Sequence, residues 1–385
     1  MTSSDYSGEI RAVAAQVAAT VYAPMAADLD RRRAPIPLDE RCRLGDLGFL
    51  GIAHEERFGG AGAPFRQALA VIEEFAKECR PAAFQIFEAN TGPAQVVNRL
   101  GTEQQKERWL PSIVTGEQTM AVAISEPDAG SAATDMTTSA RPSGSGLVVN
   151  GAKRWISNGG EADVYLVYVR LSDAPGAKGI GAVLVQRDAP GVSFGAPEQL
   201  MGFRGIPSAD VYFDEVQISP DDVVVPAGSF SKLFSAFSIE RLGNATMSLA
   251  IGQAALDRAV RYVQEREQFG KSLIEFQSVQ LLLADMLLQV EAARLLIDRA
   301  AGGVTATGLP NSLQVSLAKC TANEMAKRVS DLAMQLHGGN GYTEEYGIER
   351  LHRDAHGWAI AGGTPTMQRI RIVSELLGRR FDQRG

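Results

Sequence analysis

Cysteine is scarce in this 385-residue chain: Cys42, Cys79 and Cys320 stand alone, with no C-x-x-C pair. That excludes a disulfide framework and a thiolate zinc site, and it fits a reducing compartment. Positive charge is in deficit too. Lys and Arg number 38 against 45 Asp and Glu, for a net charge of −7 and a pI near 5.3. No basic surface competes for a phosphate backbone, so nucleic acid is excluded as a partner. Long apolar runs are missing: the most apolar strand-like run, Val164 to Val169, falls far short of the ~20 residues of a membrane helix. The N-terminus carries Asp5 and Glu9 where a signal peptide needs positive charge and then an apolar core, so a cytoplasmic chain without a membrane span is expected. Neither G-x-x-x-x-G-K-[ST] nor a G-x-G-x-x-G after a strand is written, which removes the P-loop and the dinucleotide fingerprint and disfavours NAD. His352 and His356 lie four apart, but Arg353 stands where H-E-x-x-H has Glu and no third ligand is evident. No metal is expected.

What is present is an ordinary globular composition, 45% hydrophobic and 22% charged, on a chain long enough for two or three lobes. The apolar period changes twice. Ile10, Val13, Ala14 and Val17, then Ala68, Leu69, Ile72, Phe75 and Ala76, then Trp109, Leu110 and Ile113 recur at helical spacing. From about Gln118 to Val225 the runs are short and alternating or β-branched, as in Met120–Ile124, Val164–Val169, Ile180–Val185 and Val211–Ile218. Helical spacing then returns at greater length in Phe276, Val279, Leu283, Met286, Leu287 and Val290, and again from Leu313 to Leu336. Turn formers cluster near Gly116 and at Pro226–Ser229. These breaks predict an all-α domain over residues 1–117, a β domain over 118–226 and a helical bundle over 227–385.

Four stretches offer unobstructed backbone amides beside hydroxyl or amide side chains: Ser125-Glu-Pro-Asp-Ala-Gly-Ser131, Trp155-Ile-Ser-Asn-Gly-Gly160, His337-Gly-Gly-Asn-Gly-Tyr342 and Ala361-Gly-Gly-Thr-Pro365. Such segments grip an anionic or heteroaromatic ligand without a P-loop, although each alone is also an ordinary turn. In this order, with Phe58-Gly-Gly-Ala-Gly62, Lys153-Arg-Trp-Ile-Ser-Asn158, Met201-Gly-Phe-Arg-Gly205, Phe213-Asp-Glu-Val216, Arg266-Glu-Gln-Phe-Gly-Lys271 and Gln335-Leu-His-Gly-Gly-Asn-Gly341, they resemble the acyl-CoA dehydrogenase family over nearly the whole chain.

The resemblance implies an α+β multidomain fold with an N-terminal helical domain, a central β-barrel or sandwich and a C-terminal four-helix bundle. It implies FAD as cofactor, an acyl-CoA or acyl-carrier-protein substrate, an electron-transferring flavoprotein as electron acceptor, and a homotetramer or homodimer. Ile124 and Ser125 would meet the flavin ring, with Trp155 and Ser157 covering it. Arg266, Phe269, Gln335 and Gly339 would hold the pyrophosphate and adenosine of FAD in the neighbouring subunit, and Thr364 would lie near the flavin tail. Ser131 and Arg241 match positions that approach the CoA part of the substrate. Thr366 stands where the family often has Gln, which removes one adenine contact.

The reaction class needs a carboxylate to take the α-proton of a thioester, with its enolate oxygen stabilised. The commonest family base is the Glu of a Tyr-Glu-Gly-Thr segment, which here reads Ala361-Gly362-Gly363-Thr364. The isovaleryl- and long-chain-type members place it instead in a Glu-Arg-Leu context, and this chain has Glu240-Arg241-Leu242 at the matching place. The i±3 and i±4 neighbours of Glu240, namely Phe237, Ala236, Gly243 and Asn244, include no cation, so no surface helical ion pair explains the residue. A solvent-facing Glu240 with a distant partner is the bland alternative. Ala361 and Gly362 also leave room for a branched or bulky acyl group, while the Gly362 amide can still donate to the thioester carbonyl. Expectation therefore centres on a desaturase acting on a short branched or bulky acyl-CoA. A carrier-protein-linked dehydrogenase, a flavin monooxygenase of the same fold and a flavin-free scaffold are the competing readings.

Overall fold

The computed structural model describes residues 3–303, 308–379 and 381. The first third is helical: α1 (Ser3–Val17), α2 (Ala26–Arg32), α3 (Leu38–Asp46), α4 (Phe65–Glu78), α5 (Arg80–Asn90), α6 (Pro93–Leu100) and α7 (Glu103–Val114). A π-turn over Ala18–Tyr22 and a 3₁₀ turn at Ala23–Met25 carry α1 into α2, the second beside Pro24, whose ring lacks the amide that an α-helix would use. Ala14, Ala18, Tyr22, Ala26 and Leu29 form one buried stripe along this length, with the Tyr22 ring 5.3 Å from Phe75 of α4. The α7 start is closed by a reciprocal cap between Thr102 and Gln105.

No membrane-length run was expected from composition, yet Gly8–Arg32 forms 25 helical residues that hold an 18-residue window of mean hydropathy 1.2, enough to cross a membrane by length and composition. Its alanine-rich segment is what raises the hydropathy. Close helix packing accounts for Ala14, Ala18 and Ala26, which are buried, but Ala12, Ala19 and Ala27 are exposed.

Strands β1 (Met120–Ala123), β2 (Ser139–Ser143), β3 (Gly146–Ser157), β4 (Val164–Arg170), β5 (Ile180–Gln186), β6 (Val192–Phe194), β7 (Ser208–Ile218) and β8 (Val223–Val225) build one mixed sheet in the order β6-β7-β3-β2-β4-β5-β8, with β1 parallel to β4. Its centre, β4, is buried on both faces, which is why it reads as an unbroken apolar run rather than an alternating one. Val164, Leu166 and Tyr168 pack towards the helices, whereas Tyr165, Val167 and Val169 join Val149, Val183, Val211 and Phe213 in a separate core inside the β domain.

The last part holds α8 (Phe230–Glu265), a hairpin of β9 (Glu267–Gln268) and β10 (Lys271–Ser272), then α9 (Gln277–Gly302), α10 (Ser312–His337), α11 (Ile348–Ile360) and α12 (Pro365–Leu377). Met286 and Val290 of α9 are buried as their spacing predicts, but Leu287 is 50% exposed, as are the larger part of Leu281, Leu288 and Leu295. The helical period of α9 is confirmed, and the bundle buries one apolar stripe of it and leaves the other outward.

A buried ion pair joins the three regions. Arg80 Nε of α5 lies 2.6 Å from Asp354 Oδ2 of α11, and Asp354 Oδ1 also accepts a 2.8 Å bond from the Phe203 amide. The Met201–Gly205 stretch is therefore a joint, with the Phe203 ring packed on Trp358 at 4.8 Å. Gly357 is required there, because a Cβ would fall 2.7 Å from the Phe203 ring.

Candidate active site

From Ser238 to Gly252 the long helix α8 is buried nearly all round, so polar residues in that span must be there for a partner or for chemistry. Glu240 is the foremost of them, 8% exposed. Its Oε2 is buried with no hydrogen-bond partner. Burial pushes its carboxyl up to about 7, opposed by the positive charges of Arg241 and Lys319. The surface-exposed alternative for Glu240 is thereby set aside. Tight space beside it is lined by Thr91, Gly92 and Pro93 at the α5–α6 join, by Val122 of β1, and by Ala236 and Phe237.

Gly362 lies in the turn between α11 and α12 with φ +67. A Cβ built on it would sit 3.3 Å from Glu240 Oε2 and 3.4 Å from Oε1. The two positions that the sequence offered as alternative homes for a base therefore face the same small volume. The same turn of α8 holds the loop in place: Arg241 Nε donates to the Gly362 carbonyl at 3.2 Å, and Asn244 Nδ2 donates to the Trp358 and Ala361 carbonyls at 3.2 and 3.3 Å. Arg241 is itself buried, its guanidinium 4.3 Å from the Phe234 ring and 4.9 Å from that of Phe237. Thr364 caps α12, its hydroxyl accepting from the Met367 amide at 3.3 Å.

The second group surrounds the end of β1. Lys153 of β3, 0% exposed, donates to the Ile124 carbonyl at 3.0 Å and to Glu126 Oε1 at 2.8 Å. Glu126 is further held by the amides of Thr137 and Thr138 at 2.6 and 2.9 Å. Its carboxyl drops to about 2 despite burial, because Lys153 and these donors favour the charged form. The Ser125 carbonyl accepts from the Arg154 amide at 2.8 Å, so the segment carrying Ile124 and Ser125 is pinned against the strand carrying Trp155 and Ser157. Trp155 has φ +63 and is 53% exposed, with the Arg154 guanidinium 4.5 Å from its ring centre. Ser157 pairs in register with Ser208 of β7, and Ser131 is exposed. A half-exposed indole on a rigid strand beside fixed backbone polar groups fits a heteroaromatic ring.

The third group lies at the other end of α8. Arg266 starts the β9–β10 hairpin, and Phe269, at φ +55 and 94% exposed, forms its tip with Gly270. Tyr262 stacks on His337 at 4.2 Å and accepts from Asn340 Nδ2 at 3.0 Å, which draws the hairpin base to the end of α10, where Gln335 and Gly339 are also exposed. A Cβ on Gly338 or Gly339 would meet nothing within 4 Å. Open backbone, an exposed aromatic ring and an exposed guanidinium can together hold a pyrophosphate and adenine, so the residues present fit an extended dinucleotide.

Sequence reasoning missed Lys319, Asn323 and Glu88. Lys319 and Asn323 lie one turn apart among Val315, Ala318, Ala322 and Met325 on the inward face of α10. Two polar residues at i, i+4 inside an apolar stripe are a readable signal. Glu88, on the wholly buried α5, is raised well above the usual carboxylate range by burial and by Glu240; nothing in its sequence context announces that neighbour.

The chain matches the acyl-CoA dehydrogenase N-terminal domain over residues 4–117, the middle domain over 121–216 and the C-terminal domain over 230–377. It is 35% identical to a 3-sulfinopropanoyl-CoA desulfinase of Cupriavidus necator, covering 97% of this chain and 96% of that protein. The structure of butyryl-CoA dehydrogenase from Megasphaera elsdenii superposes with a TM-score of 0.93 at 32% identity, covering 98% of this chain and 99% of the other. A glutaryl-CoA dehydrogenase from Mycobacterium smegmatis, solved in complex with FADH2, gives 0.92 at 26% identity over 100% and 97%. With all three of its domains present in order, this chain belongs to the acyl-CoA dehydrogenase family of FAD-dependent oxidoreductases.

Proposed function

We propose that this enzyme desaturates an acyl-CoA thioester between Cα and Cβ, acting on a short branched or bulky acyl group. The observation that carries the reading is the Glu240 carboxylate, buried, without a hydrogen-bond partner at Oε2, and against the surface of Gly362. A desolvated carboxylate titrating at about 7 is matched to removing a weakly acidic α-proton at neutral pH. The Gly362 amide would donate to the thioester carbonyl and stabilise the enolate as the proton leaves. Bound FAD supplies the hydride acceptor for the β-carbon. Ile124, Ser125, Trp155 and Ser157 orient the flavin, Thr364 lies near its tail, and Ser131 and Arg241 serve the CoA side. Arg266, Phe269, Gln335 and Gly339 hold the dinucleotide of a neighbouring subunit, so a homodimer or homotetramer is required. An electron-transferring flavoprotein takes the electrons onward. Relatives named for 3-sulfinopropanoyl-CoA, butyryl-CoA and glutaryl-CoA support a CoA thioester as substrate.

Anaerobic bleaching of the bound flavin against straight, branched and carboxylated acyl-CoAs tests the reading. A branched short acyl-CoA should exceed its straight isomer of equal carbon number, by an amount bounded at about 10–200-fold because one methylene in an apolar pocket is worth ~1–3 kcal/mol. Preference for the straight chain refutes the branched-acyl reading, and failure of every acyl-CoA to bleach refutes the desaturase. Separately, Arg266→Ala should lower FAD occupancy, read from the flavin to protein absorbance ratio, with little change in far-UV circular dichroism; undiminished FAD would remove Arg266 from the site.

A further inference from the structure

The groups that face Glu240 come from four elements. Arg241 is its neighbour on α8, Lys319 approaches from α10, Glu88 from α5 and Tyr168 from β4, while Arg371 of α12 stands behind Arg241. Arg241 is the larger of the two positive charges that favour the Glu240 carboxylate, ahead of Lys319, and it is fixed by the Gly362 carbonyl and two aromatic rings. Glu88 and Tyr168 bring no positive charge. That leaves Lys319. It is fully buried, and its Cε lies 3.3 Å from the point where a Cβ on Gly362 would sit, the same point that is 3.3 Å from Glu240 Oε2. Lysine stem and carboxylate thus converge on one bare glycine.

The orientation of Lys319 is enforced. Its Nζ donates to Asn323 Oδ1 at 2.8 Å. The Asn323 amide nitrogen in turn donates to Asn244 Oδ1 at 3.0 Å and to Ser248 Oγ at 2.8 Å. Asn244 is the residue that holds the Trp358 and Ala361 carbonyls. One amide chain therefore ties the lysine to the helix bearing Glu240 and to the loop bearing Gly362. No ion pair within 4.0 Å links Lys319 to Glu240 among the described residues, so the carboxylate keeps its lone pairs for a proton while still feeling the charge.

Resting on the desaturase reading, we infer that Lys319 is the positioning residue of Glu240: held by Asn323 beside Gly362, it keeps the carboxylate ionised without binding it. Burial and the neighbouring Glu88 favour the protonated carboxyl, and Lys319 adds to Arg241 in opposing them. Burial lowers the Lys319 ammonium and Glu240 opposes that shift, so each group sustains the other's charge.

The test is the pH profile of anaerobic flavin reduction by one saturating acyl-CoA in the Lys319→Met holoenzyme. Removal of an opposite charge at this range shifts a carboxylate by about 1 pH unit or more, so the rising limb should move to higher pH by at least that amount, with the high-pH plateau largely retained. The infrared carbonyl band of the protonated carboxyl should persist to correspondingly higher pH in the same holoprotein and vanish in Glu240→Gln. An unshifted limb and an unshifted band overturn the inference and leave Lys319 a filler. If Lys319→Met does not accumulate as folded holoprotein, the Glu240→Gln, Lys319→Met double variant decides: recovery of FAD-loaded protein supports the mutual dependence, and equal loss overturns it. Glu240→Gln alone separates this from the reading beneath it. Normal flavin reduction in that variant refutes the desaturase base, whereas its loss together with an unmoved Lys319→Met profile refutes only the role of Lys319.

Discussion

Glu240→Gln should retain FAD and acyl-CoA binding while flavin reduction by substrate falls about 10²–10⁴-fold, the range that a general base supplies. Glutamine keeps the volume of the side chain, so no cavity opens in the packed span of α8. Stopped-flow reduction under anaerobic conditions reads the chemical step directly. In the unaltered enzyme the same measurement should slow as pH falls through about 7, because Glu240 acts only as the carboxylate and burial has moved its titration there. Reduction of Glu240→Gln at the wild-type rate would refute the assignment. Adding Gly362→Glu to Glu240→Gln is the geometric counterpart. A side chain at 362 enters within 3.3 Å of the original carboxylate position, so part of the rate should return. Full recovery is not expected, since φ +67 at Gly362 strains any residue with a Cβ.

Lys153→Met should be the most destabilising single change around the flavin face. It would leave Glu126, a carboxylate 6% exposed, without its cation, and stripping one partner from a buried pair costs about 3–5 kcal/mol. Denaturant unfolding of the holoenzyme reads the loss, and FAD content should fall with it, because Lys153 also holds the Ile124 carbonyl. Glu126→Gln in the same chain should return part of the stability, as the uncompensated charge is then gone. Unchanged stability in Lys153→Met would show that the pair contributes nothing. The acid limb has a defined sign. The folded carboxyl of Glu126 titrates at about 2 against an ordinary 4.5, so its contribution is complete above 4.5 and is lost as pH falls towards 2.

Much of the fold was legible in the chain because local physics wrote it. The period of Ile72, Phe75 and Ala76 is that of a helix, and the unbroken Val164–Val169 run is that of a strand covered on both sides; that α4 also buries Gln67, Glu73 and Glu74 of its polar face was not written in that period. Leu287 lies in a helix as its spacing predicts, but a residue's period says only that it belongs to an apolar stripe, not which stripe a bundle buries. Likewise the Gly8–Arg32 helix passes as a membrane-length segment only once its turns are joined in space.

By itself, the sequence determined the order of helical and β regions, the glycine-rich segments and the presence of a glutamate at 240 with none at 362, since residue identity and short-range periodicity need no folding to be read. Only the tertiary structure decided that Glu240 and Gly362 share one volume, that the Lys319 stem lies beside Gly362 with its Nζ held by Asn323, and that Lys153 rather than the glycines pins the Ile124 carbonyl. Each of those facts depends on helices and strands distant in sequence being packed together, where removal of water turns a charge or an unpaired oxygen into the largest local energy.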